Sequence, residues 1–287
     1  YYNPNNADCG NYIPSDAYRL SINDKIQPLF KAIINNNDTE NTIKIEFNDK
    51  IPSTACMFAN CRNIREIDLS HFNSSQTTKM TNMFIGCTAL TSLNLKNLDT
   101  SQVVSMSSMF SGCMRLSSLD LSNFNTTQVT NMKFMFKDCI SLTSLNLNKF
   151  NTSKVIDMTS MFSGCLSLKY LNLETFDTTA LKYMEEMFKN CTSLTSLNLE
   201  NFNTNNVEEF NNLFAGCYSL QYINLKNAFI KNGAIYYSSL ADIPDNVLIC
   251  TREEKWNNNY KGTNISIICN GNKTNNNLIN DNNNACF

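Results

Sequence analysis

Apolar positions recur along this chain at a fixed step of 26 residues. Cys61, Cys87, Cys113, Cys139, Cys165, Cys191 and Cys217 keep that step. So do Met57-Phe58, Met83-Phe84, Met109-Phe110, Met135-Phe136, Met161-Phe162 and Met187-Phe188, and Leu213-Phe214 closes the series. One unit reads roughly L-x-x-L-x-L-x-x-F-[ND]-T-[ST]-x-V-x-x-M-x-x-M-F-x-G-C. Within a unit, Leu119 and Leu121 alternate with Ser118 and Asp120, the period of a short half-buried strand. Asn125-Thr126-Thr127 then supplies residue types that cap helices or make turns. Val129, Met132, Phe136 and Cys139 follow at steps of 3, 4 and 3, which predicts one face of a helix of about three turns. Each ladder cysteine is preceded by Asn60, Gly86, Gly112, Asp138, Gly164, Asn190 or Gly216. These types tolerate the left-handed conformation, so the helix is predicted to stop there.

One such unit cannot bury its own apolar face, and stacked neighbours must supply the core. The expected fold is α/β: a solenoid with a parallel sheet on one face, its strands about 4.8 Å apart, short helices on the other, and a cap at each end. Residues 1–56 are expected to form the N-terminal cap. Ser21–Ile34 reads as a helix with Leu29, Phe30, Ile33 and Ile34 on its apolar side, although Pro28 argues against it, and Thr42–Phe47 reads as an opening strand. Residues 57–228 hold seven repeats. Residues 229–287 form a disulfide-containing C-terminal cap, with strands before Cys250 (Val247, Leu248, Ile249) and before Cys269 (Ile265, Ile267, Ile268), and with Trp256 buried. The Asn-rich tail at 275–284 has the composition of disorder.

Met-Phe, Gly-Cys and Leu-x-x-Leu-x-Leu at this period resemble the BspA-like leucine-rich-repeat surface proteins of microbes, over roughly residues 42–228. The resemblance implies a leucine-rich-repeat fold and a secreted or surface-attached protein, often associated with adhesion and with host or matrix contact. It implies no particular ligand.

Composition narrows the function. A net charge of −2 provides no basic field for nucleic acid and no long-range attraction to an anionic membrane. No stretch approaches the roughly 18 apolar residues of a membrane span. The chain begins Tyr1-Tyr2 rather than Met, which reads as a mature or trimmed product. The only histidine is His71, so Ser/His and Cys/His nucleophilic arrangements have almost nothing to draw on. Asp68, Asp120, Glu174 and Glu200 scatter over rung surfaces rather than pairing for glycoside hydrolysis. The expectation is a non-enzyme without cofactor or metal.

The ladder cysteines read as a row of small buried thiols. Cys9, Cys56, Cys250, Cys269 and Cys286 lie off the ladder, where disulfides of an oxidising compartment fit. Cys9–Cys56 and Cys250–Cys269 are the preferred pairs among several that sequence allows. Cys286 is left to join a ladder-end thiol, stay free or bond another subunit.

Two outward rows flank the strand leucines. One holds Asp68, Asn94, Asp120, Asn146, Asn172, Asn198 and Asn224; the other holds Glu66, Ser92, Ser118, Ser144, Tyr170, Ser196 and Tyr222. They read either as a solubilising strip with amide ladders or as a contact face anchored by Tyr170 and Tyr222, with Asn146, Asn172 and Asn198 beside them. The partner is then a protein or glycan, or copies of the chain assembled head to tail into a filament. Asn37, Asn73, Asn125, Asn151, Asn190, Asn264 and Asn272 satisfy N-x-[ST]. N-linked glycans are expected on all but Asn190, which abuts a buried cysteine. A competing reason exists for the Asn73, Asn125 and Asn151 row: Asp99 and Asp177 hold the same position, so capping alone explains it. An extracellular or cell-surface location follows from these features together.

Overall fold

In a computed structural model, the described residues are 51–235 and 237–251, together with the backbone of three earlier strands. Those strands are β1 (Ala17–Ile22), β2 (Lys25–Gln27) and β3 (Ile43–Phe47). They form an antiparallel sheet in the order β2-β1-β3. The strand expected over Thr42–Phe47 is therefore present as β3, but its partner is β1 rather than a repeat strand. The helix expected over Ser21–Ile34 is not what its first residues form: Ser21 and Ile22 end β1, and 25–27 are β2. Tyr18, Leu20 and Ile22 alternate with Arg19 and Ser21, and that period of two outweighs the apolar cluster further on. Residues 28–34 lie outside the described residues, as do Trp256, the Cys269 strand and the Asn-rich tail.

The repeats stack in parallel. The Leu-x-Leu segments form β4 (Glu66–Asp68) with β5 (Ser92–Asn94), and β6 (Ser196–Asn198) with β7 (Tyr222–Leu225) and β8 (Leu248–Thr251). Partners are offset by one repeat, as in Ser196↔Tyr222 and Tyr222↔Leu248. The stack thus continues beyond residue 228. In the three middle rungs the same positions do not pair as strands; isolated bonds such as Thr143 N–H to the Ser117 carbonyl (3.3 Å) join them.

The predicted helices are absent among the described residues, and the backbone shows why. Each rung carries two left-handed residues four apart, for example Asn82 (φ 58°) and Gly86 (φ 68°), or Phe134 (φ 59°) and Asp138 (φ 57°). The second is the predicted stop; the first, in the middle of the presumed helix, breaks it. Alternate N–H groups then leave the rung. Those of Met132, Phe134, Phe136 and Asp138 donate to the carbonyls of Asp157, Thr159, Met161 and Ser163 at 2.8–3.0 Å. Those of Met135, Lys137 and Cys139 close tight turns onto Met132, Phe134 and Phe136 at 3.1–3.2 Å. A positive φ at the third residue, as at Phe134 and Asp138, is the mark of a type II turn. The apolar steps of 3 and 4 therefore come from consecutive turns, and not from an α-helix. One unbroken series of parallel bridges runs along this segment from Ser53 to Ile235 through Lys79, Ser105, Asn131, Asp157, Tyr183 and Glu209.

Identical side chains stack inside. Phe58, Phe84, Phe110, Phe136, Phe162, Phe188 and Phe214 form a column with ring centroids 5.5–5.9 Å apart and planes within 7°. A second column follows each strand and is looser, at 6.3 Å for Phe124–Phe150 and 6.4 Å for Phe176–Phe202. Rungs sit closer on the Met-Phe side, where the backbone ladder is continuous. Burying each such Phe stabilises the stack by roughly 1.5–3 kcal/mol.

Candidate interaction surface

Three corners of each rung are built alike. At each, an Asn, Asp or Ser side-chain oxygen accepts the backbone N–H two residues on, the Asx-turn habit of these residues. The strand corner has Asp68 to Ser70 (2.7 Å), Asp120 to Ser122 (2.9 Å), Asn146 to Asn148 (3.1 Å), Asn172 to Glu174 (2.9 Å) and Asn198 to Glu200 (3.1 Å). The Ser70 N–H, and after it the Ser70 hydroxyl, hold the Asp68 carboxyl below the usual carboxylate range. The third corner has Asn131 to Lys133 and Asp157 to Thr159, both 2.9 Å. About one residue in six is Asn, and turn construction accounts for much of it within the repeats.

The middle corner is the sequon row. Asn73, Asn125 and Asn151 are exposed. Their Oδ1 atoms accept from the hydroxyls of Ser75 (2.8 Å), Thr127 (2.8 Å) and Ser153 (2.7 Å). Asp177 accepts from Thr179 in the same way at 2.7 Å, so the local fold asks for this triplet with or without a glycan. The intervening residue, Thr or in the Asn73 rung Ser74, is buried and joins rungs. Thr126 Oγ1 donates to the Asn151 carbonyl (2.9 Å) and accepts the Asn151 N–H (2.8 Å). Asn190, expected to be less accessible, is exposed: its left-handed corner turns the side chain outward, against Gly216 of the next rung. Asn37, Asn264 and Asn272 lie outside the described residues.

The proposed aromatic anchors differ. Tyr170 is 69% exposed, where Ser92, Ser118, Ser144 and Ser196 hold the same position in other rungs. Tyr222 is only half-buried within β7, between Ser196 and Leu248. Asn146 and Asn172 are exposed, Asn198 is partly covered, and Asn224 is buried. The strip thus closes toward β8, because paired strands on both sides cover it. Sequence reasoning treated every rung as equivalent and missed this. A groove of about 270 Å³ lies at the sequon corner, lined by Lys149, Asn151, Ser153, Thr175 and Asp177.

The seven ladder cysteines carry free thiols, all buried except the half-buried Cys61. Each buried thiol donates to a phenylalanine carbonyl one rung back, as Cys139 to Phe110 (3.2 Å) and Cys165 to Phe136 (3.2 Å). Burial pushes the thiols up, to about 12 at Cys87, Cys165 and Cys217. Cys56 and Cys250 are each disulfide-bonded; Cys9, Cys269 and Cys286 lie outside the described residues. His71 is exposed, with Nδ1 3.0 Å from Ser70 Oγ.

A second face lies along the Met-Phe turns, and sequence reasoning missed it because those positions were assigned to a helix. Lys133 and Lys137 place their ammonium groups 4.8 and 5.1 Å from the Phe134 ring centroid, cation–π contacts. Two rungs on, Glu186 pairs with Lys189 at 2.6 Å, and Glu185, Glu208 and Glu209 lie close by. Burial, then the charges of Glu185 and Glu208, raises the Glu209 carboxyl.

Among the described residues no helix is long and apolar enough to cross a membrane. No curated protein matches the chain. Among solved structures, a leucine-rich repeat protein from Bacteroides ovatus is 19% identical, with 77% of this chain and 69% of that one covered and a TM-score of 0.28. The family described as Mycoplasma protein of unknown function, DUF285, matches residues 53–169 and 141–232. These overlapping segments carry the Met-Phe turns, the thiol row and most of the Leu-x-Leu strands, and this chain belongs to that family.

Proposed function

We propose that this protein is a non-enzymatic extracellular or cell-surface repeat protein that holds a protein or glycan ligand on its Leu-x-Leu face. Tyr170 carries the reading. It replaces a serine, stands 69% exposed, and offers large contact area at low entropic cost with a hydroxyl to pair. Lys169, Asn146 and Asn172 beside it are exposed hydrogen-bonding groups. Disulfides at Cys56 and Cys250 support an oxidising compartment. N-linked glycans at Asn73, Asn125 and Asn151 belong to this reading, since each side chain is exposed and its sequon hydroxyl is already engaged.

Immobilised fibronectin, laminin and heparin are suitable probes. Tyr170→Ser, which restores the residue of the other rungs, is expected to weaken binding about tenfold or more, roughly 1.4 kcal/mol, with unchanged melting. Equal binding by the variant, or no binding of the wild type to any probe, contradicts the reading. Head-to-tail assembly is the second reading. What favours it is the β7–β8 pairing, which carries the parallel register to Thr251; light scattering then finds species far larger than a monomer.

A further inference from the structure

The turn face has relief as well as charge. Lys133, Phe134 and Lys137 make one rung high and basic. The next rung presents only Thr159, Ser160 and Ser163, all less than 9% exposed, and is low. Beyond it Glu185 and Glu186 rise again, Glu186 paired with Lys189 of its own rung, followed by Glu208 and Glu209. The rung before the basic one is also low, with Ser107, Ser108 and Ser111.

Phe134 is the irregular member. It holds a left-handed φ of 59° at a position where other rungs use Asn82, Ser108, Ser160, Glu186 and Asn212. A bulky residue is costly there, by about 1–2 kcal/mol, and its ring stays half-exposed under two ammonium groups. Costly backbone at an exposed position points to use rather than to folding. The occupant must match a basic zone and an acidic zone two to three rungs apart. A uniform polyanion meets the glutamates and is repelled. A copy of the same face, turned by a two-fold axis, presents acid to base and base to acid.

We infer that two copies of this chain pair antiparallel through the Met-Phe turn face, each Lys133–Phe134–Lys137 rung facing the other's glutamates across a two-fold axis at the low Thr159–Ser160–Ser163 rung. The face is charged and small, so the dimer belongs to the weak class and depends on salt. This pairing is side by side rather than end to end, and it does not involve Tyr170.

Sedimentation velocity of the whole chain tests it. At about 100 µM and low salt a monomer–dimer equilibrium is expected, moving at least about tenfold toward monomer by roughly 0.5 M salt. K133E/K137E and E185K/E209K are each expected to be monomeric with cooperative melts, and F134S to weaken pairing. Mixing the two charge-swapped proteins one to one restores the dimer, because each then presents the sign the other lacks. Y170S leaves pairing unchanged. A wild type that stays monomeric, a mixture that stays monomeric, or growth beyond a dimer overturns the inference.

Discussion

At the scale of single residues, the left-handed glycines are not equivalent. A Cβ on Gly164 (φ 76°) would collide with Asp138 Oδ1 from the rung before, and the same holds for Gly86 over Asn60 and Gly216 over Asn190. Gly112 sits over Gly86, where an added Cβ would lie 3.3 Å from Gly86 Cα. Gly164→Ala should therefore cost more than the roughly 1–2 kcal/mol of the backbone alone. Adding Asp138→Gly should return at least about 0.5 kcal/mol, as a thermodynamic cycle in urea would show; strict additivity would contradict the contact. Thr126 gives a second case. Its hydroxyl serves both polar groups of Asn151, so Thr126→Val should lose about 1–3 kcal/mol per abandoned group, and Thr126→Ser much less, read from denaturant midpoints. The residue scale was largely legible in the sequence. The left-handed type before each ladder cysteine, the Thr or Ser after each Asn or Asp of the middle corner, and the small buried thiol are all chemical demands written at one position. What escaped was the mid-run left-handed site, because Asn82, Ser108, Phe134, Ser160 and Glu186 span four residue types.

The thiols carry a pH dependence. A buried neutral thiol with its pKa raised from about 9 to about 12 favours the folded state fully below pH 9. As pH rises from there toward 12, the unfolded chain ionises first and stability falls. Iodoacetamide at pH 8 should leave the buried ladder thiols unmodified in the native protein and label them in denaturant. Rapid native labelling of Cys139 would contradict the buried row.

At the scale of elements, the Leu-x-Leu strand and the turn run exchange the roles expected of them. The strand pairs at both ends of the stack but not in the middle, whereas the turn run is bonded rung to rung throughout. Amide exchange should therefore be slow at 196–198 and 222–225 and faster at 118–120 and 144–146. Equal protection along all the Leu-x-Leu segments would contradict the difference. Sequence periodicity misassigned the turn run because steps of 3 and 4 mark an inward face without saying what closes the backbone. A helix bonds N–H to the carbonyl four residues back. Here a left-handed residue in mid-run directs alternate N–H groups to the next rung, and apolar spacing is blind to that choice.

For the whole molecule, the repeat period was legible and so was the stacking it requires, since one rung exposes two phenylalanine faces that only neighbours cover. Differences between rungs were less legible, because burial depends on what lies beside each row: Tyr170 stands clear and Asn224 is covered. The stacking rests on backbone bonds that pass from each turn run to the next. Scalar couplings across hydrogen bonds, measured by NMR on deuterated protein, test it most directly. The account predicts couplings from the Phe136 N–H to the Met161 carbonyl and from the Asp138 N–H to the Ser163 carbonyl. A coupling from Phe136 N–H to the Met132 carbonyl, the partner a helix would use, would contradict it.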